Sequence, residues 1–287
     1  MLYNYFKDIK DTLVYDQCFM NNAFETKDNV GEYDKLDLLI GEAKKTVEMI
    51  KPYLKANMRL LEIGGGAGFT YTFLRSQGYD VTSIEPGSDG FGDRYKAGLR
   101  LCELLGIDSS GWHKSMIENF NGNNEFDLIF SFYVLEHVES LELAFKAMVR
   151  HLKPDGIMVH TCPNYNIPFE PHYNILLFPL KPEWSTLFYP SLRDKGLWQG
   201  LNFTTLGRIK KICKNNNLRL TFSKAMTANY LMRVIEDPVF RERKKMFYKL
   251  AMVFKKIGLM YLISKLPPAV NTPMEFIAAE MPDQENT

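Results

Sequence analysis

The chain lacks the marks of several common protein classes. No apolar run approaches the ~18 residues that cross a bilayer, so a membrane-spanning segment is not expected. The four cysteines, Cys18, Cys102, Cys162 and Cys213, are scattered, with no C-x-x-C pair. That argues against a zinc site or a disulfide scaffold and suits a reducing compartment such as the cytoplasm. The opening MLYNYFKDIK carries charge too early for a secretory signal. Net charge is only +1 over 287 residues, so no excess of one sign marks a nucleic-acid binder. Histidine is scarce, with five in all, which narrows the choice of acid–base groups. What remains is an ordinary globular composition, 46% hydrophobic and 24% charged.

Within it strands and helices alternate, the pattern of a parallel sheet. Leu61 to Phe69 reads LEIGGGAGF, placing Glu62, Gly64, Gly66 and Gly68 in the pattern E-x-G-x-G-x-G. An apolar strand, Arg59 to Ile63, turns here into a helix from Phe69 to Gln77 that Gly78 stops. Such a turn lets a ligand lie against bare backbone, with amide groups and the positive helix end directed at it. Dinucleotide-binding folds require G-x-G-x-x-G/A. Counted from Gly64, the third glycine of that pattern falls on Phe69, a bulky aromatic. The following strand, Tyr79 to Ile84, ends in Glu85, a carboxylate placed to accept from both ribose hydroxyls of an adenosine. NAD enzymes use the same device.

The alternating glycines behind a carboxylate resemble motif I of the class I S-adenosylmethionine-dependent methyltransferases, and the resemblance continues. Asn124 to Val138, NEFDLIFSFYVLEHV, is similar to that family's fourth strand (Phe126 to Phe132, with Asp127 at its start) and the helix entry after it. His151 to Gly156 resembles the loop before strand five, and Ile157 to Cys162 that strand. The match covers Met58 to Pro163, the family's cofactor half. It implies a Rossmann-like α/β fold, with a mostly parallel seven-stranded sheet and helices on both faces. It also implies S-adenosylmethionine as cofactor, with Glu62, Gly64, Gly66 and Gly68 holding the methionine part, Glu85 the ribose, and Ser115 and Met116 framing the adenine. The family often carries an acid where Ser115 stands. Quinone-pathway relatives bind a divalent metal through E-x-x-E-H; here Tyr133 replaces the first carboxylate of Tyr133-Val134-Leu135-Glu136-His137, and no metal is expected.

Outside the cofactor half, Tyr33 to Leu54 has Leu36, Leu39, Ile40, Ala43, Val47 and Ile50 at helical spacing. Residues 1–57 read as a helical arm, its first part either a lid over the cofactor or a packing arm, and 58–287 as the methyltransferase domain. Residues 163–200, rich in proline and aromatics, begin at the carboxyl edge of the sheet, where α/β ligands bind. They read as the acceptor-side loop, with a subunit contact or a structural excursion as the alternative. Thr204 to Asn216 reads as a helix, and Leu218 to Ser223 and Met274 to Ala279 as the final strand pair. An insertion at 237–266 carries eight lysines and arginines against Glu242 alone over 241–265, a local charge of +7. Apolar residues recur at helical spacing between them. A basic amphipathic helix of this kind meets an anionic membrane surface or an acidic, lipid-linked substrate, or packs its stripe on its own sheet, the commoner outcome.

Methyl transfer from a sulfonium asks the protein mainly to hold the nucleophile in line, and an oxygen or nitrogen acceptor also needs a base. His172, between Glu170 and Tyr173 in the aromatic loop, is the first candidate for base or acceptor-orienting group, and His137 the second. His113, His151 and His160 fall on strands or a helix end and read as structural. The expected activity is methylation of oxygen or nitrogen on a small-molecule or glycan acceptor, with no nucleic-acid partner. Two alternatives stay open: an NAD-dependent oxidoreductase, and a non-catalytic S-adenosylmethionine-binding partner at a membrane surface.

Overall fold

The computed structural model describes residues 2–24, 32–87, 93–121 and 126–280. Asn124 and Glu125, which open the fourth-strand motif, lie outside the described residues. Three helices come first: α1 (Leu2–Tyr15), α2 (Gln17–Ala23) and α3 (Glu32–Ile50). The alternating unit follows as β1 (Arg59–Ile63), α4 (Phe69–Ser76), β2 (Asp80–Ile84), α5 (Arg94–Leu105), β3 (Trp112–His113), β4 (Phe126–Phe132), α6 (Leu141–His151) and β5 (Leu152–Cys162). The loop after β5 holds a small hairpin, β6 (Phe169–Glu170) with β7 (Ile175–Leu176), and one helical turn, α7 (Gly196–Gln199). Then come α8 (Leu206–Asn215), β8 (Leu218–Phe222), α9 (Met226–Glu236), α10 (Pro238–Arg243), α11 (Lys245–Lys256), α12 (Leu259–Ser264) and β9 (Met274–Glu280).

Seven strands form one sheet in the order β3-β2-β1-β4-β5-β9-β8. Every pairing from β3 to β5 is parallel, while β9 runs antiparallel to both β5 and β8. This is the Rossmann-like, mostly parallel seven-stranded sheet that the resemblance implies, with the last two strands paired as expected. Alternation along the central strands feeds two cores. Leu60, Leu128 and Val159 join the side covered by α1–α5, and Leu61, Ile129 and Met158 the side covered by α6 and α8. Successive side chains point to opposite faces, so the central strands are largely apolar on both, with Glu62, Ser83, Ser131 and His160 as buried polar exceptions.

The first helices pack into the molecule. Phe6, Leu13 and Phe19 are buried, and the rings of Phe6 and Phe19 meet Phe69 at 4.8 and 5.9 Å. The insertion corrects the single basic helix read at 237–266. It is three short helices, broken at Lys244 and at Gly258, which adopts a left-handed φ of 74°. Nor does its stripe pack on the sheet: α11 and α12 lie on α9, and Ala251 is the buried residue of α11 while α12 buries none. No helix among the described residues is long and apolar enough to cross a membrane.

Candidate active site

A cavity of about 650 Å³ opens at the carboxyl ends of β1, β2 and β4, large enough for a cofactor together with a small acceptor. The glycine turn forms one end. The N–H groups of Gly64 and Gly65 both donate to Ile84 O, at 2.9 and 3.1 Å, folding the turn over the tip of β2. Gly66 adopts a left-handed φ of 58°, and a Cβ placed there would meet nothing within 4 Å. That open space is the cradle in which a ligand can approach bare backbone. Gly68 differs: it does not line the cavity. At φ 86° it caps α4, and a Cβ on it would sit 2.9 Å from Gly98 Cα, so its smallness lets α4 approach α5.

Two buried carboxylates flank the turn and line the cavity. Glu62 accepts from Ser83 Oγ at 2.8 Å. Burial pushes its pKa up to about 7, against the lowering by hydrogen bonds from Ser83 and Thr70. Glu85 accepts from the N–H groups of Gly66 (2.8 Å) and Gly87 (3.1 Å), so its position is tied to the turn. Burial raises its pKa while those two bonds oppose the rise. Ser115 and Met116 also line the cavity. The Ser115 hydroxyl donates to Met116 O at 2.8 Å, and half-exposed Met116 offers an apolar flank.

The other end is built by the tip of β4 and the loop after β5. Tyr133 sits at a left-handed φ of 56° with its N–H on Thr161 O at 2.8 Å, a strained position of the kind that gathers at functional sites. A 3₁₀ turn, Leu135–His137, follows. Asn202 clamps it from the far side of the loop, its Nδ2 donating to Leu135 O (2.7 Å) and Val138 O (2.8 Å) and its N–H to Glu136 O (2.9 Å). The turn aligns Glu136 and His137 with His172. One ligand atom from each of the three lies within 4.8 Å of the others, and the rings of His137 and His172 are 5.2 Å apart, edge to face.

Their electrostatics differ. Fully buried Glu136 has no hydrogen-bond partner for either carboxylate oxygen among the described residues, and burial pushes its pKa up to about 7, offset in part by the charge of His172. Burial, then the charges of His172 and Arg94, lower His137 to about 3, so it is neutral. For His172, burial works against the charged ring, but the hydrogen bond and charge of Glu170 outweigh it and raise the pKa. Glu170, fully buried, lies 2.6 Å from His172 Nδ1 and also accepts from Tyr165 OH (3.3 Å) and the N–H of Tyr173 (2.8 Å). A carboxylate on Nδ1 fixes the proton there and leaves Nε2 to accept one.

Both candidate histidines therefore line one cavity with Glu62, Gly64, Gly66, Glu85, Ser115 and Met116. The remaining three are elsewhere. His160 is buried against Ser131 Oγ at 2.7 Å, His151 against Phe120 O at 3.0 Å, and His113 is exposed at the end of β3. Glu170 is the buried partner of His172 that the motifs do not single out. Its signal was the spacing Glu170-x-His172, which a two-strand hairpin turns into a contact. The donor trio has a similar origin, since His172 comes from the loop to stand with the Glu136-His137 pair.

A family model described as a methyltransferase domain matches residues 37–221. An uncharacterised protein of Mycobacterium tuberculosis is 32% identical over 199 residues, covering 67% of this chain and 68% of its own. The ubiquinone biosynthesis O-methyltransferase of Rickettsia canadensis is 28% identical over 104 residues, 36% of this chain and 42% of that protein. Among solved structures, the geranyl diphosphate C-methyltransferase of Streptomyces coelicolor, in complex with Mg2+, geranyl diphosphate and S-adenosylhomocysteine, superposes with a TM-score of 0.54 at 14% identity, covering 96% of this chain and 97% of its own. The phosphoethanolamine N-methyltransferase 2 of Haemonchus contortus, in complex with S-adenosylmethionine, gives 0.52 at 16% identity over 83% of this chain. This chain spans 52% of that enzyme. At such identities the structural likeness is one of fold.

Proposed function

The chain belongs to the methyltransferase-domain family, and on that premise we propose that it transfers the methyl group of S-adenosylmethionine to an oxygen or nitrogen of a small-molecule or glycan acceptor. The observation that carries this reading is one cavity with the glycine turn at one end and His172, backed by Glu170, at the other. Bound S-adenosylmethionine supplies an electrophilic methyl group on a sulfonium. Gly64 and Gly66 give its methionine part bare backbone, Glu62 offers a carboxylate to the amino group, Glu85 holds the ribose, and Ser115 and Met116 flank the adenine. His172 Nε2 takes the acceptor's proton as the new carbon–oxygen or carbon–nitrogen bond forms and the carbon–sulfur bond breaks, releasing S-adenosylhomocysteine. Glu170 holds the ring at Nδ1 and stabilises the imidazolium. His137, neutral, orients the acceptor beside it.

The test is thermal unfolding with S-adenosylmethionine, S-adenosylhomocysteine or NAD, followed by transfer of labelled methyl groups to candidate acceptors. Ligand at about 100 times its Kd adds roughly 2.7 kcal/mol, a readable rise in Tm. A rise with NAD alone would overturn the reading in favour of a dehydrogenase. Binding without turnover across oxygen and nitrogen acceptors would leave a non-catalytic partner. A chelator arm belongs in the same assay, because orphaned Glu136 with His137 and His172 offers a fitting donor set for a divalent cation. Activity lost to chelator and restored by a divalent cation would reassign these three side chains from proton handling to cation binding.

A further inference from the structure

The insertion presents an apolar face to water. On α11, Met246, Leu250 and Val253, with Ile257 just past its end, follow one another at steps of four, three and four, so they share one side of the helix. They are 59%, 44%, 53% and 66% exposed. The packed side is a different one, centred on buried Ala251. A solvated helix carries polar residues opposite its core; here a second apolar stripe takes that place, flanked by exposed Lys245, Lys249 and Lys256. On α12, Tyr261 and Leu262 are 67% and 61% exposed, with Lys265 Nζ over the Tyr261 ring at 5.1 Å. The loop after β7 repeats the composition: Leu180 is fully exposed at a left-handed φ of 66°, beside Lys181, whose Nζ lies 4.6 Å over the Trp184 ring.

We infer that α11 and α12 form a docking surface for an anionic lipid bilayer, the exposed stripe entering the interface while the flanking lysines meet lipid phosphates. Charge decides the occupant. Apolar side chains alone fit any greasy partner, whereas lysines along the edge of the stripe, in a segment of net +7 within a chain of net +1, match a negatively charged plane. The surface is also joined to the cavity. Buried Lys244, at the start of α11, donates to Pro171 O (2.5 Å) and Asn174 Oδ1 (2.7 Å) on either side of His172, and Phe247 meets the Phe169 ring edge-on at 5.0 Å. A protein seated on lipid through α11 therefore has the hairpin that bears His172 braced from the seated side. This inference does not rest on the methyl-transfer reading.

Co-sedimentation of the full chain with vesicles of phosphatidylcholine alone, and of phosphatidylcholine mixed with phosphatidylglycerol, tests it. Binding is expected to the anionic vesicles, weakened by added salt. It should fall at least tenfold in Val253→Glu/Ile257→Glu and in Lys249→Glu/Lys256→Glu. Both double variants should keep the wild-type thermal unfolding profile, since all four side chains are exposed. Absence of binding, or equal binding to neutral and anionic vesicles, would overturn the inference. So would light scattering that shows a dimer dissociated by Val253→Glu/Ile257→Glu, since a second copy would then be the occupant.

Discussion

As the proposed base His172 must be neutral to take a proton, yet the Glu170 carboxylate 2.6 Å from its Nδ1 favours the charged ring and raises its pKa. Activity should therefore rise with pH through a limb lying above the ~6.5 of an ordinary histidine. Glu170→Gln should move that limb down and cut kcat by about 10- to 100-fold, because the ring loses its orienting partner. The sign for stability is the reverse. A raised histidine contributes fully below its unfolded value and loses that contribution as pH rises through the folded pKa. Glu170→Gln should then destabilise more at about pH 6 than at about pH 9, which urea melts at both can read; equal losses would mean that the pair does not titrate as argued. The glycines offer a second contrast. Alanine at Gly66 points into open cavity and pays about 1–2 kcal/mol for its left-handed backbone, so cofactor affinity should fall at least tenfold with the fold retained. Alanine at Gly68 strikes Gly98 Cα and should lower Tm more than Gly66→Ala does. Calorimetric titration beside thermal melts separates the two. The pattern E-x-G-x-G-x-G suggests a ligand role for both glycines alike; its spacing does not show that Gly66 lines the cavity while Gly68 lies outside it, against Gly98 of α5.

Elements with a period are legible in the sequence, whereas β5 begins at Leu152 and takes in the stretch 152–156 expected to be a loop. The strand Phe126–Phe132 has its expected bounds, and the helix read over Tyr33–Leu54 is α3 followed by a 3₁₀ turn at Lys51–Tyr53. The loop after β5 had no period to read. Its own small core of Tyr165, Leu177, Leu192, Trp198 and Leu201 is gathered by irregular turns, and the contact between Glu170 and His172 appears only when that hairpin closes. The insertion misled for a physical reason: helical spacing shows that a stripe exists but does not say whether protein covers it. The first helices illustrate how an element remote in sequence supports the site. Leu39 and Thr46 of α3 line the cavity, and Phe6 of α1 braces Phe69, which lines it too. Phe6→Ala removes a fully buried ring and should cost about 3–5 kcal/mol. Loosening Phe69 should weaken cofactor binding as well. Denaturant melts with and without S-adenosylmethionine check both, and a loss of stability with unchanged affinity would confine α1 to packing.

At the scale of the whole molecule the cavity joins three parts of the chain: the glycine turn of the sheet, α3 from the N-terminal helices, and the loop carrying His172. The insertion reaches that loop through Lys244, whose ammonium bonds both sides of the His172 turn and whose charge lowers the histidine's pKa. Lys244→Met keeps the stem of the side chain and removes both bonds and the charge. The partly buried Pro171 carbonyl then loses a charged donor, at a cost of about 1–3 kcal/mol. With the opposing charge gone, His172 should hold its proton to higher pH, so the acid limb of kcat should move up, opposite to its movement in Glu170→Gln. Affinity for S-adenosylmethionine should stay near wild type, since the glycine turn and Glu85 stand at the other end of the cavity. A pH–rate profile and a cofactor titration of the same variant decide the matter. A limb that moves down would show that Lys244 does not act through its charge, and an equal loss of cofactor affinity would show that the two ends of the cavity do not respond separately.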